Sequence, residues 1–327
     1  MVRFFASTIA AILCSLVIFS SESQGKTVNV AIPCYCFQYI PFFIAKDKGY
    51  YRDEDLDVQL IVTGGGIGLR ALIGGNVDFA ATGEPAVLSA HLSGARLQIL
   101  LSTYYRPLLW LYSDPKIKSV KELRGKKIGV SGIGSATDAL TRDLLKKRGI
   151  EAGREVAILA MGSPEARFVA LKTGNVDAAV LSEGFKFVAD EAGLHELVSF
   201  LKEDLILLSG SIGVREASLK LDAASIEQFL RGTVKGLLYA QGNRAGTLPY
   251  VIKTLKVKED LAGKIYDLSL PGFTKGYVNE DLQKEAYSQA IARLGTKNPP
   301  PIDRIFNYSI VKKLLAEIEA QGWKPGQ

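Results

Sequence analysis

Short apolar runs alternate with helical patterns along most of the chain, and the alternation occurs twice. Residues 28–32 alternate and then run apolar, as a buried strand does, and Pro33 ends the run. Residues 41–45 open a helix that Gly49 closes in a left-handed stop. Residues 56–62 form a second strand, Thr63-Gly64-Gly65-Gly66 a loop, and 67–73 a helix. Residues 77–81 form a third strand, Gly83-Glu84-Pro85 opens another helix, and 98–102 make a fourth strand. Strands separated by helices at this spacing predict a parallel α/β sheet.

Residues 108–112 read as a strand leading out of this unit, and 120–123 as a short turn ending at Gly125. The second alternation then begins. Strand 127–130 precedes helix 138–148, strand 156–160 precedes helix 164–172, and strand 178–181 precedes helix 185–192, with 197–200 as a closing strand. From Ser209 the pattern changes. Residues 211–214 resemble a returning strand, and helices follow over 223–241, 248–254, 280–294 and 310–321. Pro299-Pro300-Pro301 reads as a stiff spacer inside this region.

An internal echo links the two alternations. Ala71-Leu72-Ile73-Gly74-Gly75-Asn76-Val77-Asp78 returns 99 positions later as Ala170-Leu171-Lys172-Thr173-Gly174-Asn175-Val176-Asp177. Each copy runs into an apolar strand and then a small residue with a glutamate, Gly83-Glu84 and Ser182-Glu183. Two copies at that distance are too few and too far apart for a solenoid. They predict two lobes carrying the same helix-turn-strand-loop unit.

Residues 129–141 are the stretch around which a site is expected. A strand runs into Ser131, Gly132, Gly134 and Ser135 and then straight into a helix. Small residues let backbone N–H groups approach a ligand, and the helix behind points its positive end at the same place. A second surface should close over this one. Ligands of open α/β sheets sit beyond the carboxyl ends of the strands. That places the candidate contacts at Tyr35, Phe37 and Gln38, at Gly65 and Gly66, at Gly83 and Glu84, at Ser131, Ser135 and Thr137, at Ser163, and at Glu183. Each has a structural alternative. Ser135 and Thr137 suit helix capping, the glycines suit turns, and the glutamates suit the first turn of a helix. If the first loop is extended, Tyr35, Phe37 and Tyr39 share a side, and one of them stacks on the ligand, with core packing as the alternative for each. Two acids in the cleft would favour a ligand with N–H donors and oppose a bare anion, so the charge of the ligand stays open.

Composition narrows the partners. The formal charge of +6 is spread along the chain, which argues against nucleic acid and is compatible with an anionic small ligand. Residues 1–25 read as a cleaved leader: Arg3, an uncharged stretch over 4–19, and Ser23-Gln24-Gly25 before Lys26. Sixteen apolar residues are short for a membrane span. Leu13 before Cys14 is too bulky for the usual lipoprotein box, so a periplasmic protein without a lipid anchor is expected. Cys34 and Cys36 are compatible with two thiols, a strained bond or a ligand-contacting thiol. A lone CxC is a weak metal signal, and neither a metal nor a cofactor is expected. His91 and His195 lie on helical stretches, and no Ser-His-Asp set is suggested. Gly132-Ile133-Gly134-Ser135-Ala136-Thr137 lacks the last glycine of a dinucleotide fingerprint.

Four segments together carry a family resemblance. They are Pro41-Phe42-Phe43-Ile44-Ala45 with Gly49-Tyr50-Tyr51, then Gly75-Asn76-Val77-Asp78, then residues 120–130 reading Val-Lys-Glu-Leu-Arg-Gly-Lys-Lys-Ile-Gly-Val, and Gly134-Ser135. In this order the chain resembles the extracytoplasmic solute-binding proteins of ABC importers, in the branch named for nitrate, sulfonate and taurine binders and for the fungal pyrimidine synthase. The resemblance implies a two-lobed α/β fold of the second periplasmic-binding class, with parallel-rich sheets flanked by helices. Lobe I would hold residues 26–112 and 209–327, lobe II residues 113–208, with crossings near 112–113 and 208–210. It implies a monomer that captures a small organic solute or anion (sulfonate-, carboxylate- or pyrimidine-like) and delivers it to a permease and its ATPase. Its alternatives are an exported enzyme of pyrimidine metabolism and a sensor without transport. The synthase branch carries a Lys and a His where this chain has Thr82 and Ala86, so no catalytic residue is expected.

Overall fold

The computed structural model describes residues 25–64, 66–203, 205 and 207–326. The expected leader, apart from Gly25, and the expected contact at Gly65 lie outside the described residues. The chain enters as β1 (Lys26–Ile32), α1 (Ile40–Asp47), β2 (Leu56–Val62), α2 (Ile67–Ile73), β3 (Phe79–Thr82), α3 (Glu84–Leu92) and β4 (Leu97–Tyr104). It then builds β5 (Leu109–Ser113), β6 (Lys127–Val130), α4 (Ala136–Lys147), β7 (Ala157–Ala160), α5 (Pro164–Lys172), β8 (Ala178–Ser182), α6 (Glu183–Glu191) and β9 (His195–Ser199). It returns through β10 (Ser209–Arg215), α7 (Ser218–Leu221), α8 (Ala223–Gly242), α9 (Arg244–Leu255), α10 (Glu259–Ser269), β11 (Phe273–Gly276), α11 (Glu280–Leu294) and α12 (Ser309–Ala320).

These strands form two mixed sheets. One runs β11-β4-β10-β3-β1-β2 and the other β7-β6-β8-β5-β9. The second repeats the core order of the first. β6, β7 and β8 stand where β1, β2 and β3 stand, all parallel, and each sheet carries one antiparallel strand beside the third. That strand is β10 in the first sheet and β5 in the second. Each is the first strand laid down after the chain crosses over. The strand read as the end of the first lobe therefore belongs to the second: Leu109 pairs with Ser182 and Trp110 with Ser199. The crossing falls between Tyr104 and Leu109, not at Tyr112. An antiparallel strand buried on both faces looks the same in sequence whichever sheet it joins.

The echo has a physical cause. Gly75 and Gly174 both take positive φ, 80° and 75°, at the C-terminal ends of α2 and α5. The aspartate that follows each turn then holds a central strand one residue before its ladder with the next strand begins. Asp78 Oδ2 accepts the Asn29 N–H and Asp177 Oδ2 accepts the Lys127 N–H, both at 2.8 Å. A backbone donor just before the β1–β3 and β6–β8 ladders begin is satisfied the same way in each lobe.

The C-terminal helices cover the first sheet. α8 lies against α1, where Gly236 leaves no room for a side chain beside the Pro41 carbonyl oxygen. Phe229 stacks between Tyr51 and Phe79, at ring-centroid distances of 5.5 and 4.2 Å. α10 and β11 fall in a stretch, 259–276, for which the sequence pattern predicts no element.

Candidate functional site

The carboxyl ends of the parallel strands in the two sheets face one another across a partly open cavity of about 70 Å³. Lobe I contributes Pro33, Gln38, Tyr39, Thr82 and Gly83, and lobe II contributes Ser131, Ser135, Thr137, Arg167 and Ser182. The lobes meet closely: a Cβ on Gly83 would lie 2.6 Å from Ala136 Cβ, so only glycine lets α4 come this near.

The hydroxyl cluster at the mouth of α4 is organised by backbone amides. Ser135 caps the helix and accepts the Asp138 N–H at 3.3 Å. Thr137 Oγ1 accepts the Ser131 N–H at 2.9 Å. The Ser131 hydroxyl donates to Ser135 Oγ at 2.9 Å, and Thr137 Oγ1 lies 2.9 Å from Ser131 Oγ and 3.0 Å from Ser135 Oγ. A hydroxyl has two lone pairs and one proton. Those of Ser135 are both taken, so it meets a solute only as a donor. Thr137 and Ser135 can turn their protons to a solute without breaking either backbone bond. Capping therefore leaves the Ser135 proton free.

Arg167 is the residue that sequence reading missed. It sits on the buried stripe of α5 with Pro164, Ala170 and Leu171, and is 3 % exposed. Its Nε donates to the Val180 carbonyl at 2.6 Å and its Nη1 to the Gly162 carbonyl at 2.5 Å. Burial lowers its pKa to about 10, which leaves it cationic at neutral pH. A cation on the apolar stripe of a helix was the available signal.

The first loop is not extended. Residues 37–39 make one 3-10 turn, so the two-residue alternation breaks. Tyr35 is 51 % exposed and stacks on Phe43 at 5.7 Å. Phe37 is fully buried against Phe273 and Tyr266, at 5.3 and 6.1 Å, and does not reach the cavity. Gln38 and Tyr39 do. Cys34 and Cys36 are disulfide-bonded, with Cα atoms 5.4 Å apart, and both border the cavity. The Tyr39 N–H donates to the Cys36 carbonyl at 3.0 Å, and Thr103 Oγ1 donates to the Gln38 carbonyl at 2.8 Å, which fixes the loop from both sides.

Glu84 and Glu183 are buried but stand outside the cavity wall. Glu84 accepts the Leu208 N–H on the second crossing at 3.3 Å. Glu183 Oε1 accepts the Phe37 N–H at 2.6 Å, a bond from lobe II to lobe I. Burial pushes their pKa values up to about 8 and about 7. Gly66 lines the wall at positive φ, 74°. Ser163 is exposed and caps α5, accepting the Ala166 N–H at 3.3 Å. Ser163→Ala should therefore lower stability by about 1 kcal/mol, the usual cost of a lost cap, and leave solute affinity unchanged. Denaturant unfolding and calorimetric titration check the two halves of this expectation.

Two sheets of this order, each closing one side of an interlobe cavity, are the periplasmic binding protein fold. Residues 36–245 match the family described as NMT1/THI5 like, and the chain belongs to it. A curated relative, the riboflavin-binding protein RibY of Chloroflexus aurantiacus, is 26% identical over 217 residues, covering 61% of this chain. The match spans 58% of RibY's own length. The periplasmic nitrate-binding protein NrtA from Synechocystis PCC 6803 superposes with a TM-score of 0.71 at 13% identity, covering 91% of this chain and 90% of that one. The periplasmic aliphatic sulphonate binding protein SsuA from Escherichia coli gives 0.63 at 18% identity, covering 85% and 91%. Both structural neighbours are binding proteins. No helix among the described residues is long and apolar enough to cross a membrane.

Proposed function

We propose that this protein is the extracytoplasmic receptor of an ABC importer, which captures a small solute between its lobes and presents it to a permease–ATPase pair. The observation that carries the reading is the cavity between the lobes, walled by strand-end loops of both sheets. A site built half on each lobe is completed only when the lobes close, so ligand binding and shape are coupled. Its wall, among the described residues, holds hydroxyls, an amide and a guanidinium but no carboxylate, histidine or lysine. Such a lining suits recognition better than acid–base catalysis.

Thermal unfolding with sulfonates, nitrate, aromatic carboxylates and pyrimidines tests the reading. A ligand at a hundred times its Kd should stabilise by about 2.7 kcal/mol and raise Tm by several degrees. A folded protein that responds to none of these classes would refute it.

A further inference from the structure

We propose that the Cys34–Cys36 disulfide is a site of thiol–disulfide exchange. A dithiol opens it by attack at Cys34, and its reduction releases the bond that Phe37 makes to lobe II. The proposal concerns the first loop and holds whichever solute the cavity takes.

The bridge joins residues two positions apart, with Cα atoms 5.4 Å apart. A disulfide stabilises a fold chiefly by restraining the unfolded chain, and the effect grows with the loop that it closes. This one closes only Cys34, Tyr35 and Cys36. It is a poor staple for the whole fold, so its effect is local.

Locally it is the main restraint. β1 ends at Ile32, and among the described residues 33–35 make no hydrogen bond. From Cys36 onward the loop is anchored. The Phe37 N–H donates to Glu183 on lobe II, the Gln38 carbonyl accepts from Thr103, and the Tyr39 N–H donates to the Cys36 carbonyl. The disulfide is the cross-link between this anchored turn and the unbonded segment after β1. Phe37 directly follows Cys36, so freedom gained at Cys36 reaches the interlobe bond without an intermediary.

The two sulfurs differ in access. Cys34 is half-buried and lies beside an exposed Tyr35, whereas Cys36 is 3 % exposed. Exchange requires a thiolate to reach one of the sulfurs, and access selects which. The first thiolate of the reductant attacks Cys34 Sγ, the S–S bond breaks, and Cys36 leaves as a thiolate with the bonding pair. The second thiolate of the reductant then attacks the mixed disulfide, and Cys34 leaves as a thiolate. The reductant is oxidised to a disulfide, two electrons pass to the protein, and water protonates the two cysteines. Disulfides persist in the extracytoplasmic space proposed above, so this bond stays closed until a dithiol is delivered.

Thiol labelling and hydrogen exchange on the full-length protein test this. Under denaturing alkylation Cys34 and Cys36 should be blocked before dithiothreitol and both labelled after it. Cys36→Ser should form a mixed disulfide with oxidised glutathione about tenfold faster or more than Cys34→Ser does. Reduction should shift Tm by no more than about 5 °C and speed hydrogen exchange at the Phe37 amide about tenfold or more. The double variant Cys34→Ser/Cys36→Ser should exchange fast there with and without dithiothreitol. Free thiols before reduction, equal glutathione rates at the two sulfurs, or unchanged Phe37 exchange after full reduction would each overturn the proposal. Global unfolding on reduction would also overturn it, since the bridge would then be a staple. If a serine variant does not fold, Phe37 exchange in the reduced parent decides. Silence from every solute probe would sink solute capture and leave this result standing.

Discussion

Arg293→Ala should weaken solute binding about thirty- to a hundredfold while leaving each lobe folded. Arg293 lies near the end of α11 on lobe I, and Asp143 lies in α4 on lobe II. The pair is a fork, Nη2 to Oδ2 at 2.6 Å and Nε to Oδ1 at 3.2 Å, with side chains 13 % and 16 % exposed. Removing one partner of a fully buried pair costs about 3–5 kcal/mol, mostly as the penalty on the charge left behind. Slight exposure here lowers that to about 2–3 kcal/mol, which is the stated loss in affinity. The loss falls on closure because neither residue lies in the core of its own sheet. The double variant Arg293→Ala/Asp143→Ala should recover part of the affinity, since no lone charge remains. Small-angle scattering should show a larger radius of gyration for the single variant. Unchanged affinity together with an unchanged scattering curve would rule out this pair as a closing contact.

Much of this arrangement could be read from residues alone, for identifiable reasons. The central parallel strands announce themselves because burial on both faces demands unbroken apolar runs, as in β3 and β8. The doubled turn at Asp78 and Asp177 repeats because both lobes need the same acceptor where the central ladder begins. The hydroxyl cluster was legible because Ser131, Ser135 and Thr137 stand in one strand-to-helix turn. What failed were readings that depend on distant neighbours. Phe37 turns into the core because Tyr266 and Phe273, more than two hundred positions away in the chain, form its pocket. Glu84 and Glu183 mark the helix starts correctly, but amides on other segments draw them away from the cavity. Arg167 shares a stripe with Pro164, Ala170 and Leu171, but exposed Val169 makes the opposite face of α5 apolar as well, so the signal for an inward cation is faint.

The two buried glutamates should make the protein more stable at pH 5 than at pH 8.5. Glu183 is pushed up to about 7 and Glu84 to about 8, from an ordinary 4.5, and burial is the first cause of each. The Phe37 N–H opposes the shift at Glu183; Arg293 and the Leu208 N–H oppose it at Glu84. An acid whose pKa is raised on folding binds more protons in the folded chain. Its contribution is complete below about pH 4.5 and is lost as pH rises through 7 for Glu183 and 8 for Glu84. At 1.36 kcal/mol per pKa unit the two losses are on the order of 3 and 5 kcal/mol. Glu183→Gln keeps the oxygen that accepts the Phe37 N–H and carries no charge at any pH. It should match the parent at pH 5, exceed it by about 2–3 kcal/mol at pH 8.5, and flatten the pH slope between them. Because Glu183 spans the lobes, its ionisation also opposes closure, so solute affinity should fall over the same interval in the parent and less in the variant. Denaturant midpoints at the two pH values measure the first effect and calorimetry the second. A variant with the parent's slope would show that Glu183 already holds its charge in the folded protein. Arg293→Ala should act in the opposite direction at Glu84, since it removes the cation that partly offsets burial there, and should steepen the slope near pH 8.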